Sequence, residues 1–143
     1  MELKFQILSE AATLPTRAHE GDAGLDLHSA QAAHIGPGER WQLSTGLAVE
    51  IPEGHAGFVL PRSGLALRYG ISLVNAPGLI DSGYRGEIGV LLQNNDPAEI
   101  FRVEPGDRIA QLVVLPIATL EPVVVDQLGE TARGAGGFGS SGR

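Results

Sequence analysis

Apolar residues along the chain gather in short runs: Leu47-Ala48-Val49-Glu50-Ile51, Gly57-Phe58-Val59-Leu60, Ile88-Gly89-Val90-Leu91-Leu92 and Leu112-Val113-Val114-Leu115. Turn formers punctuate them, at Gly36-Pro37-Gly38, Pro52-Glu53-Gly54, Pro77-Gly78, Asp96-Pro97 and Pro105-Gly106-Asp107. From Met1 to Leu8, polar and apolar positions alternate, as they do in a half-buried strand. Short strands at fairly regular spacing predict a sandwich, jelly roll or barrel with little room for long helices. One segment departs from the pattern. Ser63-Gly64-Leu65-Ala66-Leu67-Arg68-Tyr69-Gly70 opens on a residue type favoured as an N-cap, continues with helix formers and closes on glycine, which predicts one or two helical turns. Residues 75–88 predict a hairpin: an extended run, a turn at Asp81-Ser82-Gly83 and a returning strand.

Composition changes the picture mainly at the C-terminal end. Glycine and proline make up 20 and 9 of the 143 residues, and the stretch Arg133-Gly134-Ala135-Gly136-Gly137-Phe138-Gly139-Ser140-Ser141-Gly142-Arg143 has almost nothing to bury. Ordering such a stretch costs on the order of 1–2 kcal/mol of backbone entropy per residue. The chain is therefore expected to divide into a β-rich core over 1–132 and a flexible tail over 133–143.

A formal net charge of -7 leaves no basic field for a nucleic-acid polyanion. A single nucleotide needs only a few placed donors and a divalent cation. The absence of cysteine removes disulfides, thiolate nucleophiles and cysteine-ligated metal sites. The first residues lack the basic start and apolar stretch of a signal peptide, and no run reaches membrane-spanning length. The expected setting is cytoplasmic, without membrane association.

Several constellations carry candidate chemistry. Gly134, Gly136 and Gly139 have the spacing of a dinucleotide-binding loop, but only four residues follow Gly139, so the helix that loop requires is missing. No lysine follows to make a P-loop. The tail does offer Arg133 for bidentate phosphate contact, hydroxyls at Ser140 and Ser141, and the flat face of Phe138. It reads as a lid over a phosphorylated ring compound, or as a plain flexible terminus. Pro61-Arg62-Ser63-Gly64 presents amides that suit an anion, or else Ser63 simply caps the helix. Asp81 is a turn former, or a carboxylate that orients water. Tyr84 packs, or selects. Asp22, Asp26 and Gln111 are ambiguous alone. His19, His28, His34 and His55 show no metal-ligand spacing. No activated serine motif is present, so direct attack by water is the simpler route.

Taken together these segments resemble the trimeric dUTPase family, in the family's order and over most of the chain. Ala23-Gly24-Leu25-Asp26-Leu27 is similar to its first motif, Pro61-Arg62-Ser63-Gly64-Leu65-Ala66 to its second, and Gly78-Leu79-Ile80-Asp81-Ser82-Gly83-Tyr84-Arg85-Gly86-Glu87 to its third. Gly106-Asp107-Arg108-Ile109-Ala110-Gln111-Leu112 resembles the fourth, and Arg133 through Gly142 the fifth. The resemblance implies an all-β subunit, a distorted jelly roll or β-clip, in a homotrimer with active sites at subunit boundaries. It implies hydrolysis of dUTP to dUMP and pyrophosphate with Mg²⁺. Asp81 would hold the attacking water; Tyr84 would pack under the sugar and exclude a 2′-hydroxyl. Asn75 and the backbone at Leu79 and Ile80 would read uracil. Arg62, Ser63, Gly64 and Gln111 would bind phosphates, and Asp26 would reach Mg²⁺ through water. Phe138 would stack on the base, with Arg133, Ser140 and Ser141 on the γ-phosphate. A dCTP deaminase of the same fold and a non-catalytic jelly-roll interaction module are the alternatives; the Gly83-Tyr84 pair favours the plain dUTPase.

Overall fold

Two four-stranded antiparallel sheets pack against each other, and their facing side chains form a single apolar core. The computed structural model describes residues 1–142; Arg143, the last residue of the expected tail, lies outside them. The elements run β1 (Lys4–Ile7), β2 (Leu25–His28), β3 (Ala33–Ile35), β4 (Arg40–Glu50), β5 (His55–Leu60), α1 (Ser63–Tyr69), β6 (Ile71–Leu73), β7 (Gly78–Ile80), β8 (Glu87–Asn94), β9 (Phe101–Val103) and β10 (Arg108–Pro116). One sheet has the order β1-β4-β8-β6 and the other β2-β10-β5-β7, while β3 and β9 form a two-stranded ribbon. Alternation drives the arrangement. In β8 Ile88, Val90, Leu92 and Asn94 are buried and the residues between them are not. The buried face meets Leu27, Val59, Ile109 and Leu112 of the other sheet within one core cluster.

The five apolar runs expected as strands lie in β1, β4, β5, β8 and β10, and the single short helix is present, closed by Gly70 in the left-handed conformation that glycine adopts at little cost; β2, β3, β6 and β9 are additional. Its start differs from expectation. Arg62, not Ser63, is the N-cap residue, with an extended backbone (φ -95°, ψ 128°) and no side-chain cap. Arg62 is held there by its own guanidinium, which is engaged elsewhere, so Ser63 becomes the first helical residue and its hydroxyl caps nothing.

The predicted hairpin is also corrected. β7 pairs with β5, and β8 pairs with β4 and β6, so the Asp81 turn joins the two sheets instead of two partners within one. Ile80 and Ile88 are both buried, one in each sheet. The chain must therefore cross the layer between them, and residues 81–86 stay unpaired.

Beyond β10 no regular element follows among the described residues, and the chain from Glu121 to Gly142 is exposed throughout. Leu120, Val123, Val124 and Leu128 are more than three-quarters exposed. The glycine-rich end makes only local turns, such as Ser140 N to Gly137 O at 3.0 Å. Among the described residues no helix is long and apolar enough to cross a membrane.

Candidate active site

Strand pairing brings together three segments that are far apart in sequence. Gln111 of β10 lies opposite Asp26 of β2 on one side and Leu60 of β5 on the other, and Pro61-Arg62-Ser63-Gly64 continues from Leu60 into α1. A cavity of about 350 Å³ opens where they meet, lined by Asp22, Gly24, Asp26, Arg62, Ser63, Gly64 and Gln111 with two alanines. The Asp26 side chain is only 15% exposed, and its carboxylate faces Arg62 Nε at 3.3 Å and Arg108 Nη1 at 3.5 Å. Two guanidiniums flank the Asp26 carboxylate while the Asp22 carboxylate also lines the cavity, so in a chain of net charge -7 what this cavity offers an anion is individually placed donors and not a net positive field. Gln111 Nε2 donates to Pro61 O at 2.9 Å, fixing the approach to the helix. Its amide oxygen lies over Gly24, where any added Cβ would strike it. A side chain there would have to displace the end of Gln111.

A second, narrower cavity of about 130 Å³ lies among Asn75, Gly78, Leu79, Ile80, Tyr84, Glu87 and Gly89, with core residues behind them. The Tyr84 hydroxyl donates to Glu87 O at 2.9 Å. The ring lies so close over Gly86 that a Cβ there would come within 2.6 Å of Tyr84 Cζ. Arg85 closes the turn, donating from Nη1 to Ser82 O at 2.7 Å and Tyr84 O at 2.9 Å. Asp81 stands exposed on that turn, its carbonyl accepting from Tyr84 N at 3.1 Å.

The expected site residues thus fall into three groups. Arg62, Ser63, Gly64, Gln111 and Asp26 share the first cavity; Asn75, Leu79, Ile80 and Tyr84 share the second; the two have no lining residue in common. Asp81 and the tail residues Arg133, Phe138, Ser140 and Ser141 line neither. Arg133 turns back to donate from Nε to Gly136 O at 2.7 Å, and Phe138 is wholly exposed with φ 40°. Sequence reasoning passed over Arg108, whose link to Asp26 spans 82 residues, and Glu87. Only the pairing of β2 with β10 makes the first visible. Among the described residues no group of three or more His, Cys, Asp or Glu side chains is placed to cage a metal.

A jelly-roll-like β-protein with an arginine-flanked polar cavity and a separate narrow slot belongs to the class of nucleotide hydrolases. Known proteins narrow that class. The family model described as dUTPase matches residues 10–142. The deoxyuridine 5′-triphosphate nucleotidohydrolase of Thermobifida fusca is 54% identical over 142 residues, covering 99% of this chain and 79% of its own. Among solved structures, a glycine-to-serine variant of the Staphylococcus bacteriophage 80alpha dUTPase with dUpNHpp superposes with a TM-score of 0.92 at 33% identity, over 99% of both chains. A phage phi11 dUTPase from S. aureus, described with a structural Mg(II) ion, gives 0.83 at 31% identity, over 89% of this chain and 98% of that one. The chain belongs to the dUTPase family. It is a hydrolase that converts dUTP to dUMP and pyrophosphate, which sets aside the non-catalytic module.

Proposed function

We propose that dUTP is hydrolysed in the cytoplasm at sites shared between subunits of a homotrimer, by water that Asp81 orients toward the α-phosphorus. The observation that carries this reading is the separation within one chain of two incomplete half-sites. One carries arginine, hydroxyl and amide donors suited to phosphates; the other is a slot suited to base and sugar. Joining the first half-site of one subunit to the second of its neighbour makes a whole site. The exposed apolar side chains at Leu120, Val123, Val124 and Leu128 support assembly, since apolar surface of this kind is normally covered by a partner.

In the joined site Arg62, Ser63, Gly64 and Gln111 hold the phosphate chain. The backbone at Leu79 and Ile80, with Asn75, reads the uracil edge as acceptor, donor, acceptor. Cytosine would set its amino group against a donor, and polar readout of this type discriminates by roughly 10⁴–10⁵. The Tyr84 ring packs beneath the sugar and leaves no space for a 2′-hydroxyl. Asp81 accepts a proton from the attacking water as its oxygen bonds to the α-phosphorus and the bond to the β-phosphate bridge breaks, releasing pyrophosphate. Attack at phosphorus needs in-line positioning and charge neutralisation more than a strong base. The tail, 133–143, closes over the nucleotide, Phe138 on the base and Arg133, Ser140 and Ser141 on the γ-phosphate.

The donor set fits Mg²⁺ held mainly by the triphosphate. Asp26 offers one carboxylate already balanced by two arginines, which suits contact through water and not a protein cage. When bound, Mg²⁺ neutralises charge on the phosphate oxygens. Asp81→Asn keeps the shape and removes the proton acceptor. Turnover is expected to fall at least about a thousandfold while dUTP binding, followed by calorimetry, stays measurable. Near-normal turnover would overturn the assignment.

A further inference from the structure

The β4 strand carries a distortion opposite the start of β8. Ser44 pairs with Gly89 and Ala48 with Glu87, so three residues of β4 span what one residue spans on β8. Gly46 at its apex has φ 66°, a conformation that strains other residues. Such a bulge leaves backbone groups without ladder partners, and Glu87 supplies one. Its Oε1 accepts from Gly46 N at 2.8 Å and from the Ser44 hydroxyl. Thr45 Oγ1 adds a second tie, donating to Ile88 O at 2.7 Å. Glu87 is therefore fixed at its side chain by β4, and its main-chain carbonyl is the acceptor that fixes the Tyr84 hydroxyl. Gly86 supplies the floor on which the ring rests.

We infer that Glu87 is a positioning residue for sugar discrimination: by gripping the β4 bulge it sets the height of the Tyr84 ring in the base-and-sugar slot. This rests on the proposed role of Tyr84. Glu87 donates or accepts no proton in the reaction; it acts through Tyr84. A ring held at two points, hydroxyl and floor, keeps its distance from the sugar when a ribonucleotide presses on it, whereas an untied ring yields.

The test compares kcat/KM for dUTP and UTP in the full-length protein. Glu87→Ala is expected to lower the dUTP-over-UTP preference at least about tenfold, with most of the dUTP loss in KM. Glu87→Gln keeps an oxygen for Gly46 N and should restore most of the preference. Ser44→Ala, which loosens the grip from the β4 side, should fall between wild type and Glu87→Ala, and serves if the latter does not fold. In a Tyr84→Ala background, Glu87→Ala should change the preference no further. A folded Glu87→Ala protein with wild-type preference, or additive effects in the double variant, would overturn the inference while leaving the Tyr84 role standing. Unchanged preference in Tyr84→Ala alone would remove that role, and this inference with it.

Discussion

At the scale of single residues, what the sequence showed was residue type, and what it hid was partnership. Ser63 has the composition of a cap, yet Arg62 takes that position because Asp26 and the Arg108 carbonyl hold its guanidinium. Gly24 enters the sequence only as part of the first motif, and the Gln111 amide lying across it appears only in the fold. His28 shows in the sequence only the lack of metal-ligand spacing. It follows Asp26 by two positions on β2 and stands opposite Arg108, and its Nδ1 is buried without a hydrogen-bond partner. Burial, with Arg108 and Arg62 adding to it and Asp26 opposing, pushes its pKa below the usual 6.5. The unfolded chain then takes up the proton first. Stability is constant in this respect above pH 6.5, falls as pH drops from there toward the lowered folded value, and levels off below it. His28→Gln should remove that part of the slope. Urea midpoints measured between about pH 7.5 and 5 would check it, and an identical slope in the variant would contradict the account.

At the scale of elements, the longer strands and the helix were legible because each run carries its own signal, β-branched and leucine side chains between turn formers and a glycine stop, whereas the short strands β2, β3, β6 and β9 carry too few residues to show a period. Pairing was not legible. The stretch around Asp81 has every local mark of a hairpin, and nothing within it reveals that Leu79 lies opposite Phe58 while Leu91 lies opposite Gln42. Those partners are chosen by which face must be buried, a decision made over the whole core. The β3–β9 ribbon makes the same point. Asn94, fully buried at the end of β8, donates from Nδ2 to Ile35 O at 2.9 Å and Glu99 O at 2.8 Å, and its Oδ1 accepts from Asp96 N at 2.9 Å. One side chain ties β8 to the ribbon and to the loop leading into it. Asn94→Ala leaves those backbone groups unpaired and should cost about 2–4 kcal/mol. Urea unfolding at constant slope is the check, with a loss below about 0.5 kcal/mol as the contrary result.

At the scale of the molecule, the five motifs were legible as a set, and their resemblance carried the family before any contact was known. How they divide was not: three strands gather one half of the site and a sheet-to-sheet crossing builds the other. The tail belongs to neither half within its own chain. Deleting Arg133 onward should therefore leave the sedimentation behaviour of the assembly unchanged and reduce dUTP turnover by about a hundredfold or more, on the order of the 2.7–4 kcal/mol that removing positioned charge donors costs. Full activity in the truncated protein would leave the tail without a role.

The long exposed segment after β10 carries one further meaning. Valines and leucines that find no cover on their own fold make a lone subunit a sticky intermediate, so for the proposed trimer maturation and association become one process. Its resistance to denaturant then depends on how much of it there is, and a weakening substitution in the core is felt most when copies are few.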